Sequence, residues 1–432
     1  GYDENHQTLN LIEQEVLKRG LTAMDSLAVA VIARSFAVAN CRADNFFSEL
    51  DRWIQKAGNQ IFHHFRPTQF GILIAAIAKS SIGFTLKQSM ITALINDFER
   101  LPSLEEYTCH SLCNVVWACA TINMRADSLL HKVADSINRR MDEMTPFDWT
   151  STLTSFASLQ HDATSKVEVW IRESVSGTPG LQSWESSLLA TLYYAVIISN
   201  SADKDSLTFI ETIEEEIVRR DLFTFSTKDL TLVAWAHIAG DRSNQEFLLS
   251  ITSHLCPLIP TCSRESLNRL SLVLYASTSK QERLDSELAK SLHMAVESLK
   301  PSAPKPSAFH RKVAETLLSM KVKYVDEYPV FNRAYWIDIV IFDEGRPTIA
   351  LEVDGPIHFM RGFADYSDRL RSGPLQKLAT KLKRRLLEKE GWIVVSVPYF
   401  EWDQNEDKKE YLTRKLKAAV LRDKLVNMGF SL

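Results

Sequence analysis

A chain of 432 residues with 45% hydrophobic content has enough apolar surface for more than one core, which excludes a wholly disordered protein. Its formal net charge is −4, and its six cysteines, at 41, 109, 113, 119, 256 and 262, form no Cys-x-x-Cys pair. That excludes a zinc knuckle and a secreted disulfide framework and points to a reducing compartment. No apolar run reaches bilayer length, so no membrane insertion is expected, and GYDENHQTLNLIEQE does not read as a signal peptide.

From its start to Ser279 the chain carries one recurring feature, a bulky apolar residue followed by Ala inside an apolar stretch. It occurs at Phe36-Ala37, Ile77-Ala78, Trp117-Ala118, Phe156-Ala157, Tyr194-Ala195, Trp235-Ala236 and Tyr275-Ala276. These positions recur with a period of roughly 40 residues, which is the mark of a repeat array. The surrounding segments, such as LAVAVIARSFAVAN and KDLTLVAWAHIAG, have apolar residues at three-to-four spacing. A more polar stretch follows in each period, such as ADNFFSELDRWIQKA. Two helices in each period describe an α-solenoid of about seven hairpins, in which the small Ala lets neighbouring helices approach closely. Trp117, Trp235, Phe36, Phe156 and Tyr275 are read as packing residues rather than base-stacking platforms.

The array is expected to occupy residues 1–299, with KPSAPKPS at 300–307 as a linker, because three prolines in eight residues suit a junction better than a helix. Residues 308–432 read as a small mixed α/β domain. FHRKVAETLLSM is helical, YWIDIVIF (335–342) and TIALEV (348–353) are strands around a DEGRP turn, and PLQKLATKLKRRLLEKE is a helix ended by Gly391. IVVSVP is another strand and NEDKKEYLTRKLKAAVLRDKL the last helix. Charge divides with fold. Residues 301–432 hold 23 Lys and Arg against 18 Asp and Glu, leaving 27 against 36, or −9, for residues 1–300. The C-terminal part is thus the better electrostatic candidate for a polyanion.

If the two strands pair as a hairpin with Phe342 opposite Thr348, Asp338 faces Glu352 at roughly 5 Å, and Asp354 shares the face of Glu352. Like charges so placed call for a metal or a proton. Asp338, Glu352 and Asp354 are therefore the candidate metal ligands, for Mg²⁺, and with His358 the candidate catalytic set; Glu315 is a further ligand candidate. Beyond Mg²⁺ no cofactor is expected. On the following helix Leu375, Leu378, Leu382 and Leu386 form the buried stripe, leaving Lys377, Lys381, Lys383, Arg384 and Arg385 for phosphates. The bland alternative is that the acids pair with basic side chains and the basic residues form a solvated face.

YWIDIVIF, IALEVDGPIHF and LKRRLLEKEGWIVVSVPYFEW together resemble the RAP domain, a module abundant in apicomplexan RNA-binding proteins and found also in algae, plants and animals. The resemblance covers about residues 334–402. It implies a restriction-endonuclease-like fold and a role in organellar RNA metabolism, and the preceding repeats resemble the heptatricopeptide and octotricopeptide arrays that accompany such domains. The related nucleases carry a lysine two residues after the glutamate. Here that position is Asp354, which places phosphodiester hydrolysis in doubt.

The expected function is therefore organellar RNA binding without cleavage, in mitochondrial RNA metabolism or ribosome assembly, with plastid as the alternative compartment. Expected partners are rRNA or mRNA, contacted through His358, Phe359, Lys377, Lys381, Lys383, Arg384, Arg385 and Trp402, and ribosomal or assembly-factor proteins along the solenoid. Two alternatives remain: a structural component of the mitochondrial ribosome, and a divalent-metal-dependent endoribonuclease.

Overall fold

The computed structural model describes residues 2–176, 180–199, 203–278, 286–298, 304–331, 333, 335–343, 346–359, 361–362 and 378–427. They fall into two compact units, residues 1–184 with 361–373, and residues 185–360 with 374–432. The compact units divide within the helical region, between residues 184 and 185.

The first unit opens with α1 (Tyr2–Arg19), α2 (Ser26–Val38), α3 (Asp44–Ala57) and the short α4 (Ile61–His64). It continues with α5 (Pro67–Lys79), α6 (Phe84–Glu99), α7 (Cys109–Thr121), β1 (Met124–Arg125), α8 (Asp127–Asn138), α9 (Pro146–Ser158) and α10 (Thr164–Val175). Helix α2 packs on α5, α5 on α7 and α7 on α9. The second unit repeats the pattern in α11 (Ser186–Ser199), α12 (Lys204–Arg219), α13 (Thr227–Ala239), α14 (Gln245–Leu255), α15 (Arg264–Thr278) and α16 (Ser286–Ser298), with α11 on α13 and α13 on α15.

The bulky-Ala pairs lie on α2, α5, α7, α9, α11, α13 and α15, and all seven alanines are buried. Phe36, Ile77 and Phe156 have essentially no exposed surface, each such side chain contributing about 1.5–3 kcal/mol. Close approach is literal at Gly71, where a Cβ would stand 2.6 Å from Ser111 Oγ. Three of these helices start on side-chain caps of this kind: Asp25 accepts from the Leu27 amide, and Thr145 with Asp148, and Ser226 with Asp229, form reciprocal capping boxes. They end in a repeated device. Asn40, Gln160 and Asp241 adopt positive φ just past α2, α9 and α13. The next amide in each case reaches back to Phe36, Phe156 or His237 oxygen, as in a Schellman turn.

A buried acid ties three helices of the second unit together. Glu214 of α12 accepts from Tyr193 Oη of α11 at 2.8 Å and from Asn244 Nδ2 at 2.9 Å, and His237 Nδ1 of α13 lies 2.9 Å from the same hydroxyl. Burial works against its charge, but the hydrogen bonds from His237, Tyr193 and Asn244 outweigh it and hold its pKa below the ordinary value.

The C-terminal domain begins with α17 (Ala308–Ser319), followed by β2 (Tyr324–Val330), β3 (Tyr335–Asp343) and β4 (Arg346–Asp354). The two-residue β5 (Arg361–Gly362), grouped with the first unit, pairs in parallel with β1. Then come α18 (Leu378–Lys389), β6 (Ile393–Pro398), α19 (Tyr399–Gln404) and α20 (Lys408–Asn427). The sheet order is β2-β3-β4-β6, antiparallel except for the parallel β4–β6 pair. On one face Ile339, Ile341, Leu351, Val353, Val395 and Val397 pack against Val313, Leu317, Trp402, Tyr411 and Leu412. The strand period turns Asp338, Glu352 and Asp354 to the other face.

One expected pairing needs correcting here, and one strand is unforeseen. Phe342 pairs with Pro347, not Thr348, because a bulge falls between Ile341 and Phe342; Ile341↔Ile349 and Ile339↔Leu351 then follow the expected register. Strand β2 has no counterpart among the expected elements. It holds Pro329 and little buried surface, as suits an edge strand, and so lacks the apolar alternation of its neighbours.

The domain docks on the helical pairs of its own unit. Arg385 Nη2 donates to the Ile238 and Ala239 carbonyls at 2.8 and 2.9 Å, capping the C-terminus of α13. Lys389 Nζ lies 3.3 Å from Asp241, and the Tyr275 and Phe331 rings meet edge-on at 4.3 Å.

Candidate functional site

The β3–β4 register, continued one position from Ile339↔Leu351, sets Asp338 opposite Glu352, and the Val353 N–H donates to Asp338 Oδ2 at 2.7 Å. Glu352 Oε2 accepts from Lys383 Nζ of α18 at 2.5 Å, and the same ammonium donates to the Trp336 carbonyl at 2.6 Å. Asp354 accepts from Ser396 Oγ on β6 and lies 3.4 Å from His358 Nδ1. The structure thus gathers the four catalytic candidates in one place and adds Lys383, which the sequence pattern assigns to phosphate.

Glu352 is 7% exposed and Asp354 1%, and Glu352 Oε1 has no hydrogen-bond partner among the described residues. Burial is the main force on the Glu352 carboxyl and pushes it up to about 8 against the attraction of Lys383, with Asp338 and Asp354 adding repulsion. Asp354 is raised by the same burial, opposed by Ser396 and His358. Lys383 loses hydration too, but Glu352 and Asp338 outweigh that loss and hold its pKa above the ordinary ammonium value. With several carboxylates around one ammonium, the cluster retains a proton on an acid rather than full negative charge.

On the other side of Asp338 the structure brings in two residues that the sequence does not single out. His310 of α17 and Glu327 of β2 offer ligand atoms that lie, with one from Asp338, within 4.8 Å of one another. His310 Nε2 bonds Asp326 at 2.9 Å, and its Nδ1 stands 3.6 Å from Glu327 Oε1. A metal at Asp338 therefore has His310 and Glu327 as partners on one side, while Glu352 on the other is held by Lys383. Spacing holds no signal for Glu327, because its strand lacks a strand's apolar pattern, whereas His310 stands at helical spacing with Val313, Ala314 and Leu317 on the buried face of α17.

The eight expected RNA contacts are distributed unevenly. Phe359 is 3% exposed and sits among Tyr399 and Phe400, and Trp402 is 4% exposed between Phe309 and Tyr411. Lys383 and Arg385 are engaged as described. His358 is one-third exposed, Lys381 is exposed, and Arg384 is partly exposed and pairs with Glu388 at 2.9 Å. Lys377 lies outside the described residues. One signal for Lys383 is present in the sequence: it stands four residues before Leu387, which is fully buried, so both share the inner side of α18.

Residues 351–415 match the RAP domain family. The match runs from Glu352 and Asp354 through α18 and β6 to α20, and Asp338 lies before it. The chain is similar to a protein named "RAP domain-containing protein, chloroplastic" from Oryza sativa subsp. japonica, with 22% identity over 314 residues, 71% of this chain. The chain spans 40% of that relative's length.

Proposed function

From the RAP-domain match on β4, α18 and β6 we propose that the protein binds RNA in an organelle, as a factor in transcript metabolism or ribosome assembly, without cleaving it. The match is the observation that carries this reading, since the domain takes its name from RNA-binding proteins. In this reading the helical region is an array of about seven hairpins, one per sequence period, that holds RNA or protein partners. The C-terminal domain is restriction-endonuclease-like, as suggested by Asp338 and Glu352 on adjacent strands. Lys381, Arg384 and His358 are the proposed contacts with the phosphate backbone and unstacked bases. The chloroplastic relative makes the plastid the first compartment to test and the mitochondrion the second.

Binding without cleavage is supported by the Glu352–Lys383 ion pair, in which the ammonium competes with Mg²⁺ for one carboxylate oxygen of Glu352. The same lysine favours one second reading. The ammonium missing two residues after Glu352 is supplied in space by α18, which is a feature of a divalent-metal endoribonuclease site.

The test is fluorescence anisotropy of the full chain with single-stranded RNA across a salt series. Binding should weaken with salt, and Lys381→Ala with Arg384→Ala should lower affinity on every sequence and flatten the log–log slope by about 0.7 per lost phosphate contact. Unchanged affinity in the double variant would remove α18 as the contact element. Mg²⁺- or Mn²⁺-dependent cleavage of the same RNA, lost in Asp338→Ala and Lys383→Ala, would establish the nuclease reading instead.

A further inference from the structure

Two histidines of the first unit meet beside the α9–α10 turn. His131 lies on α8 and His161 in the turn between α9 and α10, with ring centroids 4.5 Å apart and edge-on. His131 Nδ1 lies 2.8 Å from the Asp127 carbonyl oxygen. A carbonyl only accepts, so the ring proton is fixed on Nδ1 and Nε2 carries the lone pair. That Nε2 stands 3.1 Å from the Asp162 carboxylate, so two acceptors face one another unless a cation or a proton lies between them.

His161 is more constrained. Its side chain has no exposed surface, yet Nε2 is without a hydrogen-bond partner among the described residues and faces Asp127 Oδ1 across 3.7 Å, too far for a hydrogen bond. Nδ1 accepts the Ala163 N–H at 3.2 Å and also lies 3.2 Å from Asp162 Oδ1. A proton on Nε2 leaves a buried N–H unpaired and turns the Nδ1 lone pair toward a carboxylate. A proton on Nδ1 satisfies Asp162 but opposes the Ala163 N–H and leaves Nε2 a bare, buried lone pair. Neither neutral tautomer suits all the neighbours.

One nitrogen from each imidazole and one oxygen of Asp162 lie within 4.8 Å of one another. We infer that His131, His161 and Asp162 form a binding site for a divalent transition-metal ion of the zinc class. Two imidazoles and a carboxylate are a borderline-soft donor set, suited to zinc and cobalt rather than to magnesium or calcium. The Asp127 carbonyl on His131 Nδ1 is the outer partner that orients a ligating imidazole. Arg125 Nε pairs with Asp127 Oδ1 at 2.5 Å, which keeps that carboxylate outside the coordination sphere. The three ligands come from α8 and from the turn before α10, so the ion would join consecutive helical pairs, with water at a fourth position.

The test uses the full chain, stripped with chelator and titrated with Zn²⁺, with Co²⁺ as the spectroscopic probe. The expected result is one tightly held equivalent, a raised melting temperature on loading, and a Co²⁺ absorption band of tetrahedral character. His131→Gln and Asp162→Asn replace side chains that are 48% and 68% exposed, so the metal-free fold should keep its melting temperature while affinity falls at least tenfold in each. Absence of retained metal would overturn the inference, leaving a His131–Asp162 ion pair. Equal retention by both variants would overturn it too, by placing the ion elsewhere.

Discussion

Lys383 shows how one side chain changes meaning between sequence and structure. In LATKLKRRLLEK it belongs to a basic run, and a basic run on a helix is ordinarily solvated. In the fold it is the cation nearest to Glu352, and the resulting cluster has a defined response to pH. The Glu352 carboxyl is raised to about 8 from 4.5, so between those values the folded chain keeps a proton that the unfolded chain releases. Stability from this residue is therefore complete below about pH 4.5 and is lost as pH rises through 8, with a slope of at most about 1.4 kcal/mol per pH unit. Urea denaturation at pH 5, 6, 7 and 8 should show the decline, and Glu352→Gln, which has no proton to release, should flatten it. A variant curve parallel to the wild type would assign the decline to other groups.

At the scale of elements, α18 divides its work by face. Leu382, Leu386 and Leu387 are buried, Lys383 points into the acid cluster, Arg385 caps α13, and Lys381 and Arg384 lie on the outer side. Arg385→Ala removes two hydrogen bonds to carbonyls at a helix end and is expected to cost about 1–3 kcal/mol. Because those bonds join the C-terminal domain to α13, limited proteolysis in the 300–307 segment should accelerate while far-ultraviolet dichroism stays unchanged. Unaltered cleavage would mean that the Lys389–Asp241 and Tyr275–Phe331 contacts hold the docking without it. The helices are legible because their three-to-four apolar spacing and bulky-Ala pairs recur in plain sequence. Strand β2 is not, since YVDEYPV has neither alternation nor a buried face and gains its place only by pairing with β3.

At the scale of the whole molecule, the charge division sets an expectation for partners. Residues 1–300 carry −9 and residues 301–432 carry +5, so polyanion contacts should concentrate in the latter. Ultraviolet crosslinking in native cells, followed by peptide mapping, should place RNA adducts mainly on residues 351–427 and protein crosslinks along residues 1–300. RNA adducts spread evenly along the helical array would overturn that division and move recognition to the exposed faces of the helices.

The sequence by itself determined the helical pairs, the strands YWIDIVIF and IVVSVP, and the cluster of Asp338, Glu352, Asp354 and His358, because each depends on local period or on the register of a single hairpin. Tertiary structure decided which charges meet. Lys383 reaches Glu352 from a separate helix, His310 and Glu327 approach Asp338 from other elements, and Phe359 and Trp402 enter aromatic packing instead of facing solvent. Such encounters depend on how a helix rotates over a sheet, and the burial that follows sets both the charge and the availability of each side chain.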